Sequence, residues 1–231
     1  MEQLPLGVRL RAAATFEQFV VGPNAQIVAV LASRADDGGG SPLWVWGGHG
    51  SGRTHLLQAV CARAATSGLR SGYLPLGEAW PQPDMLRGLE QLDVLCLDDV
   101  DGVSADRDWA GGLFTLYNAC VERGTALLLT ASAPPAGVAV ALNDLASRYA
   151  AALVFQLRTL DDAQQAEVVQ KRARALGIEL PDETMVYLQR RLPRDLPTLC
   201  GALDRLDAAA LSQHRRLTVP FVRSVLELPN D

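Results

Sequence analysis

The sequence predicts an α/β protein with a parallel sheet, followed by a small all-helical subdomain. Up to about residue 157, short apolar runs typical of buried strands alternate with helical patterns, and four helical patterns without a strand signal follow. Strands that alternate with helices form a parallel sheet covered on both faces. The 231 residues allow one large domain and a small appendage. We expect a tail at 1–12, the α/β subdomain at 13–157 and the helical subdomain at 158–231.

The elements follow from the apolar pattern in chain order. A loop and a helix are expected within 16–33, closed by a flexible segment at 35–40. The predicted strands are 43–46, 71–76, 94–97, 126–130 and 153–157. The helices predicted between these strands are 52–67, 83–90 and 109–123. The last third is predicted to contain helices at 161–176, 182–192, 194–213 and 219–228.

Composition excludes several classes of protein. With 48% hydrophobic residues and a net charge of −5, the chain is not expected to be disordered or to hold nucleic acid through a broad basic face. No apolar run is long enough to cross a bilayer, and the first residues show no basic region that leads into a hydrophobic run, so we expect a cytoplasmic protein. Four scattered cysteines indicate neither a zinc site nor a disulfide framework, and we expect them to be buried.

A glycine-rich motif follows the first predicted strand. Residues 47–54 match G-x-x-x-x-G-K-[ST] except that Arg53 replaces the lysine. In this strand, loop and helix context, backbone N–H groups and the helix N-terminus bind phosphates, and Thr54 is a candidate Mg²⁺ ligand. The alternative is a purely structural glycine-rich turn. The expected nucleotide contacts here are Gly47, Gly50, Ser51, Gly52, Arg53, Thr54 and His55.

The replacement of lysine by Arg53 predicts which activity is retained. A lysine ammonium is a compact point charge, whereas a guanidinium is wider and planar, so the exchange is not conservative. We expect nucleotide binding to survive this change better than hydrolysis. Any intrinsic ATPase activity is therefore expected to be weak or absent.

Two acids end the buried strand that begins at Val94. Asp98 and Asp99 lie at the carboxyl edge of the predicted sheet, where α/β proteins bind ligands. We expect Asp98 to belong to the Mg²⁺ shell and Asp99 to orient or deprotonate an attacking water. The alternative is that both are solvated turn residues.

Together these motifs resemble the AAA+ module of the bacterial DnaA family, and more closely its Hda-type members, which are regulatory inactivators of DnaA. The resemblance implies a three-layer AAA+ module with a helical lid. Residues 16–24 resemble the segment beside the adenine pocket, which implies contacts from Phe19, Val20 and Asn24. Arginine in the P-loop is itself a feature of Hda-type sequences. Residues 129–135 resemble the sensor I strand, but Ser132 stands where the family usually has Asp.

The resemblance also gives roles to two arginines. Residues 144–148 resemble the segment that carries the arginine finger, which implies that Arg148 reaches a neighbouring subunit's nucleotide. Residues 194–196 resemble the sensor II position at the start of a lid helix, which implies that Arg194 lies over the chain's own phosphates. Without the resemblance, each arginine would be assigned as an ordinary solvated helix residue.

The N-terminal tail contains Gln3-Leu4-Pro5-Leu6, which resembles the Q-L-x-L peptide with which Hda proteins bind the polymerase sliding clamp. Leucines of such a peptide fill an apolar pocket while the glutamine amide hydrogen-bonds at its edge, so Gln3, Leu4 and Leu6 are the expected contacts. Gly7-Val8 departs from the fuller peptide. The alternative is a disordered start with chance leucines.

The resemblance implies a regulator that binds ADP or ATP with Mg²⁺ and promotes hydrolysis of DnaA-bound ATP through Arg148. The implied partners are the sliding clamp, DnaA and, in a homodimer, a second copy. We do not expect a counterpart of DnaA's DNA-binding domain in this chain. We therefore do not expect the chain to recognise the replication origin. Two alternatives remain: a DnaC-type helicase-loader ATPase, and a non-catalytic clamp-binding adaptor.

Overall fold

The structure is a computed structural model that describes residues 14–213 and 217–228. The chain divides into two compact units between Thr159 and Leu160. The first unit is built on a parallel sheet, and the second is helical. None of the described helices is long and apolar enough to cross a membrane.

The first unit alternates helices and strands. Its elements in chain order are α1 Ala25–Asp37, β1 Leu43–Trp46, α2 Arg53–Thr66, β2 Ser71–Pro75, β3 Val94–Asp98, α3 Arg107–Arg123, β4 Ala126–Ala131, α4 Asn143–Ala150 and β5 Leu153–Gln156. The described strands form one sheet in the order β2-β3-β4-β1-β5, and each neighbouring pair is parallel. The predicted parallel α/β fold is confirmed.

Alternating side chains of the strands supply two hydrophobic cores. Trp44 packs with α3 and α4 on one face, whereas its neighbours Leu43 and Val45 pack with α1 and α2 on the other. This period of two is what a strand buried on both faces requires. All strands run the same way, so the carboxyl ends of β1, β3 and β4 meet at one edge of the sheet.

One predicted helix end and one predicted helix in this unit were wrong, and in each case a glycine in the left-handed region is the reason. Helix α1 runs to Asp37 and includes residues expected to be flexible; it ends at Gly38, whose φ is 66° and whose N–H donates to the Arg34 carbonyl. The helix predicted over 83–90 is instead two short 3₁₀ turns, Pro83–Leu86 and Leu89–Gln91. Gly88 separates them at a φ of 83°.

The second unit contains helices α5 Asp162–Ala175, α6 Asp182–Arg191, α7 Leu196–Gln213 and α8 Val219–Leu226 in its described part. Their apolar faces enclose a separate core that includes Val169, Leu188 and Leu203. Helix α7 begins two residues later than predicted, because Asp195 caps it and accepts a 2.8 Å hydrogen bond from the Thr198 N–H. Arg194 therefore precedes the helix.

The cysteines are buried as expected, with one exception. Cys61, Cys96 and Cys120 are buried, whereas Cys200 in the helical unit is only partly buried. All four are free thiols.

Candidate functional site

The glycine-rich loop connects β1 to α2, which begins at Arg53. Gly50 and Gly52 adopt φ values of 75° and 95°, a region that favours glycine. A Cβ on Gly52 would lie 2.7 Å from Cε2 of Phe19, so the loop also needs glycine there for space. The predicted contacts Phe19 and Gly52 therefore lie against each other.

Two buried polar atoms of this loop have no hydrogen-bond partner within the described residues: Oγ of Ser51 and Nη1 of Arg53. A Cβ on Gly47 would lie 2.8 Å from the Ser51 Oγ, so this glycine leaves room for the serine. Buried donors without an acceptor cost free energy. The loop therefore offers donors that an anion such as phosphate would satisfy.

Asp98 ends β3 as a buried carboxylate surrounded by hydroxyl groups. Its Oδ2 accepts hydrogen bonds of 2.7 Å from both the Thr54 Oγ1 and the Tyr73 hydroxyl. Its Oδ1 accepts another from the Thr130 hydroxyl. Asp98 is 2% exposed, so these donors supply the solvation that water would otherwise give a carboxylate.

Asp99 forms an ion pair with the loop arginine. The Arg53 Nη2 lies 3.0 Å from the Asp99 Oδ1. Asp99 has a φ of 54°, unusual for a residue with a side chain, and its N–H donates to the Thr130 Oγ1 at 2.9 Å. Burial, followed by the nearby Asp98 charge, raises the pKa of Asp99, and Arg53 opposes that rise.

Ser132 follows β4 and forms hydrogen bonds with Asp101 rather than with Asp98 or Asp99. Its N–H donates to the Asp101 Oδ2 at 3.0 Å, and its hydroxyl donates to the same oxygen. Where the family usually has an aspartate, this chain therefore has a serine bound to a carboxylate from the turn after β3. Asp101 was not predicted as part of the site, because its partner lies 31 residues away.

The segment before α1 is anchored to the same unit. The Phe19 and His55 rings are 5.6 Å apart, and the His55 Nε2 lies 2.8 Å from the Thr15 carbonyl oxygen. Asn24 is buried, and its amide bonds both the N–H and the carbonyl of Arg158, at 2.8 and 3.1 Å. Val20 is also buried. Asn24 thus ties this segment to the chain that follows β5.

The predicted arginines Arg148 and Arg194 have different surroundings. Arg148 is exposed in the last turn of α4 and forms no ion pair with any residue that the structure describes. Arg194 belongs to the helical unit, where its Nη1 lies 2.7 Å from the Asp162 Oδ2. The predicted clamp contacts Gln3, Leu4 and Leu6 lie outside the described residues.

The arrangement fits a phosphate chain and a hard cation. The loop supplies glycines and unsatisfied donors, while Thr54 and Asp98 place a hydroxyl and a carboxylate in contact. Oxygen ligands of this kind are those that Mg²⁺ prefers. Sequence reasoning missed Tyr73 and Thr130, which hold Asp98. Thr130 lies inside the sensor I match and could have been found there, whereas Tyr73 resembles an ordinary core residue of a buried strand.

Comparison with known families gives two matches that lie in different parts of the chain. The family model described as the Hda lid domain matches residues 161–226, and that of the bacterial DnaA ATPase domain matches residues 10–74. The chain is a member of the Hda/DnaA-like AAA+ family. The family predicted from the sequence motifs is therefore confirmed.

Solved structures show the same fold. Domain III of the Thermotoga maritima replication initiation protein DnaA matches with a TM-score of 0.83 and 24% identity, covering 95% of this chain and 98% of that one. AMPPCP-bound DnaA from Aquifex aeolicus matches at 0.71 and 20%, covering 90% and 70%. The Thermotoga maritima RuvB Holliday junction branch migration motor matches at 0.65 and 14%, covering 88% and 67%. The predicted AAA+ fold is confirmed.

Proposed function

We propose that this family member is an Hda-type regulator of replication initiation. It holds adenine nucleotide with Mg²⁺ and promotes hydrolysis of ATP bound to DnaA, and it acts in the cytoplasm. The observation that carries the proposal is the ion pair between Arg53 and Asp99. It lies inside a loop built to hold phosphates and engages the acid that would act on water.

Nucleotide binding is supported by the loop and by the AMPPCP-bound DnaA of similar fold. The Ser51 hydroxyl and the Arg53 Nη1 are donors that a phosphate would satisfy. Thr54 and Asp98 would hold Mg²⁺, which neutralises phosphate charge when it is bound. Phe19 and Val20 are proposed to line the adenine pocket, with Asn24 holding their segment in place.

Weak intrinsic hydrolysis follows from the charges at Asp99. A carboxylate that orients a water must present an oxygen to it in the right direction. The Asp99 Oδ1 is instead held by Arg53, a cation that does not lose its charge. Ser132, in turn, donates to Asp101 and has no carboxylate of its own. We expect the bound nucleotide to persist.

The catalytic contribution is proposed to lie at Arg148. Its side chain is exposed and forms no ion pair with any of the described residues. A guanidinium delivered in trans to another subunit's nucleotide stabilises charge on the transferred phosphoryl group and can raise the rate by about 10³ to 10⁵. Arg148 would supply that charge to DnaA.

Two further contacts complete the proposal. Arg194 would lie over the chain's own phosphates, which requires it to share or leave its ion pair with Asp162. Gln3, Leu4 and Leu6 would bind the sliding clamp. Tethering to a clamp on DNA raises the local concentration of the regulator and so favours its encounter with DnaA. The chain is also proposed to form a homodimer.

The test measures hydrolysis of ATP bound to DnaA when this protein and clamp-loaded DNA are added. We expect the rate to rise with both present and to fall when the clamp is omitted or when Gln3→Ala and Leu4→Ala are combined. The double variant should bind ADP as the parent does, because residue 3 and residue 4 precede the nucleotide module. An unchanged rate with the parent protein contradicts the proposal.

The same assay separates the alternatives. Rapid turnover by this chain alone, with binding to single-stranded DNA, would indicate a helicase loader. Clamp binding without any effect on DnaA-bound ATP would indicate an adaptor. Either result replaces the proposed function.

A further inference from the structure

A tyrosine on β2 reaches the candidate metal site from the neighbouring strand. Tyr73 pairs with Cys96 in the parallel ladder, so Asp98, two residues further along β3, projects from the same face. The Tyr73 side chain spans this diagonal and donates a 2.7 Å hydrogen bond to the Asp98 Oδ2. The residue is only 6% exposed.

We propose that Tyr73 is a positioning residue that fixes the orientation of the Asp98 carboxylate for a divalent cation. This inference rests on the proposed function, because it assigns a support to the proposed Mg²⁺ site. Tyr73 itself would not touch the cation or the nucleotide. Its role is to hold the acid that does.

The distribution of donors around Asp98 carries the argument. Thr54 and Tyr73 share Oδ2, whereas Thr130 donates to Oδ1. Thr54 is itself a candidate ligand, so its contact with Asp98 is the one that metal binding would alter. Tyr73 and Thr130 would remain, one on each oxygen, and two such bonds fix the plane of a carboxylate. Hydrogen-bond partners of this kind orient metal ligands, and losing one commonly weakens metal affinity by about tenfold or more.

The chemistry of the Tyr73 hydroxyl also suits a hydrogen-bond donor to Asp98. A phenol hydroxyl is a neutral donor at ordinary pH, and here it donates to the Asp98 carboxylate at 2.7 Å. The Gln58 side chain, on α2, interacts with the same hydroxyl. A phenylalanine at this position would keep the ring and lose the hydroxyl, and with it the hydrogen bond to Asp98.

The test titrates Mg²⁺ into the full chain with a fluorescent ADP, N-methylanthraniloyl-ADP. We expect Tyr73→Phe to raise the Mg²⁺ concentration needed for half of the effect by about tenfold. ADP affinity in EDTA should stay unchanged. The matched control is Tyr149→Phe, which removes another buried hydroxyl, one paired at 3.1 Å with Ser104, and should not alter the Mg²⁺ dependence.

Several results would overturn the inference. An Mg²⁺ dependence equal to the parent's, or an equal loss of affinity in EDTA and in Mg²⁺, means that Tyr73 is only structural. In an Asp98→Asn background Tyr73→Phe should add no further Mg²⁺ effect, and a further effect contradicts the route through Asp98. If the parent binds no labelled ADP at all, the proposed function itself fails, whereas Mg²⁺-dependent binding that ignores Tyr73 overturns this inference alone.

Discussion

Two regions of the first unit each carry an arginine with a proposed role in nucleotide chemistry, and the surroundings of the two side chains are opposite. In the glycine-rich loop, the Arg53 side chain is 13% exposed and lies 3.0 Å from Asp99. On α4, Arg148 is exposed and has no ion pair within the described residues. One cation is held by an acid of its own chain, and the other remains available to a partner.

The physical consequence of this difference concerns where catalysis can occur. A guanidinium paired with a carboxylate is largely neutralised by it, and the pair also restricts the movement of the acid. An exposed guanidinium without a partner keeps its charge but gains little until another surface excludes water around it. We therefore expect this chain to hold nucleotide at one region and to contribute charge from the other.

The largest expected effect is at Arg148. Arg148→Ala should reduce stimulated hydrolysis of DnaA-bound ATP on the order of 10³-fold, because it removes the charge supplied in trans. Thermal unfolding and ADP binding should be unchanged. Arg123→Ala, which removes another exposed arginine from the last turn of a helix, is the matched control and should keep full stimulation. Full stimulation by Arg148→Ala would remove the contrast between the two regions.

A smaller effect is expected from the shape of the loop. Gly52→Ala should weaken ADP affinity by about thirtyfold, equivalent to roughly 2 kcal/mol, because alanine is strained at a φ of 95° and its Cβ would meet Phe19. Gly48→Ala is the control, since no atom lies within 4 Å of a Cβ there. Equilibrium titration with labelled ADP compares the two, and equal affinities would show that the left-handed glycine is not needed.

Exchanging the loop cation tests how firmly Asp99 is restrained. Arg53→Lys should raise this chain's own ATP turnover by about tenfold, because a lysine cannot hold Asp99 through a guanidinium. The gain should stay below the roughly 100-fold of a well-placed general base, since Ser132 supplies no carboxylate. Steady-state phosphate release measures it. Turnover no faster than the parent's would mean that the Arg53–Asp99 pair does not limit hydrolysis.

The smallest effect concerns pH. Because the pKa of Asp99 is raised above its ordinary value, Asp99 in the folded chain is protonated at a higher pH than an unperturbed aspartate. Loss of that negative charge near the phosphates should tighten ADP binding by about threefold as the pH falls from neutral into the range where Asp99 becomes protonated, as expected for a solvent-screened charge. Asp99→Asn should remove this part of the pH dependence. An identical pH profile in the variant would contradict the role of Asp99.

Sequence reasoning found those parts of the site that depend on local pattern. The strand, glycine loop and helix around Gly52 are encoded by neighbouring residues, as are the paired acids at Asp98. The same reasoning failed at 83–90, where the left-handed Gly88 breaks an apolar pattern that suits a helix. It also placed Arg194 inside α7, although Asp195 has the side chain that caps that helix.

The contacts that could not be predicted from the sequence join residues that are far apart in the chain. Tyr73 lies 25 residues from Asp98 and has apolar neighbours, so nothing local separates it from a core tyrosine. The pairing of Ser132 with Asp101 likewise spans 31 residues and depends on how β3 and β4 align. Register of the sheet, rather than composition, brings these side chains together.

The central claim is that this chain contributes catalysis to a partner's nucleotide and retains its own. A single-turnover experiment tests it directly by placing γ-labelled ATP first on DnaA and then on this chain, with the other protein and clamp-loaded DNA present each time. We predict rapid release of labelled phosphate when DnaA carries the label and almost none when this chain does. Rapid release from this chain's own ATP, with none from DnaA, would contradict the account.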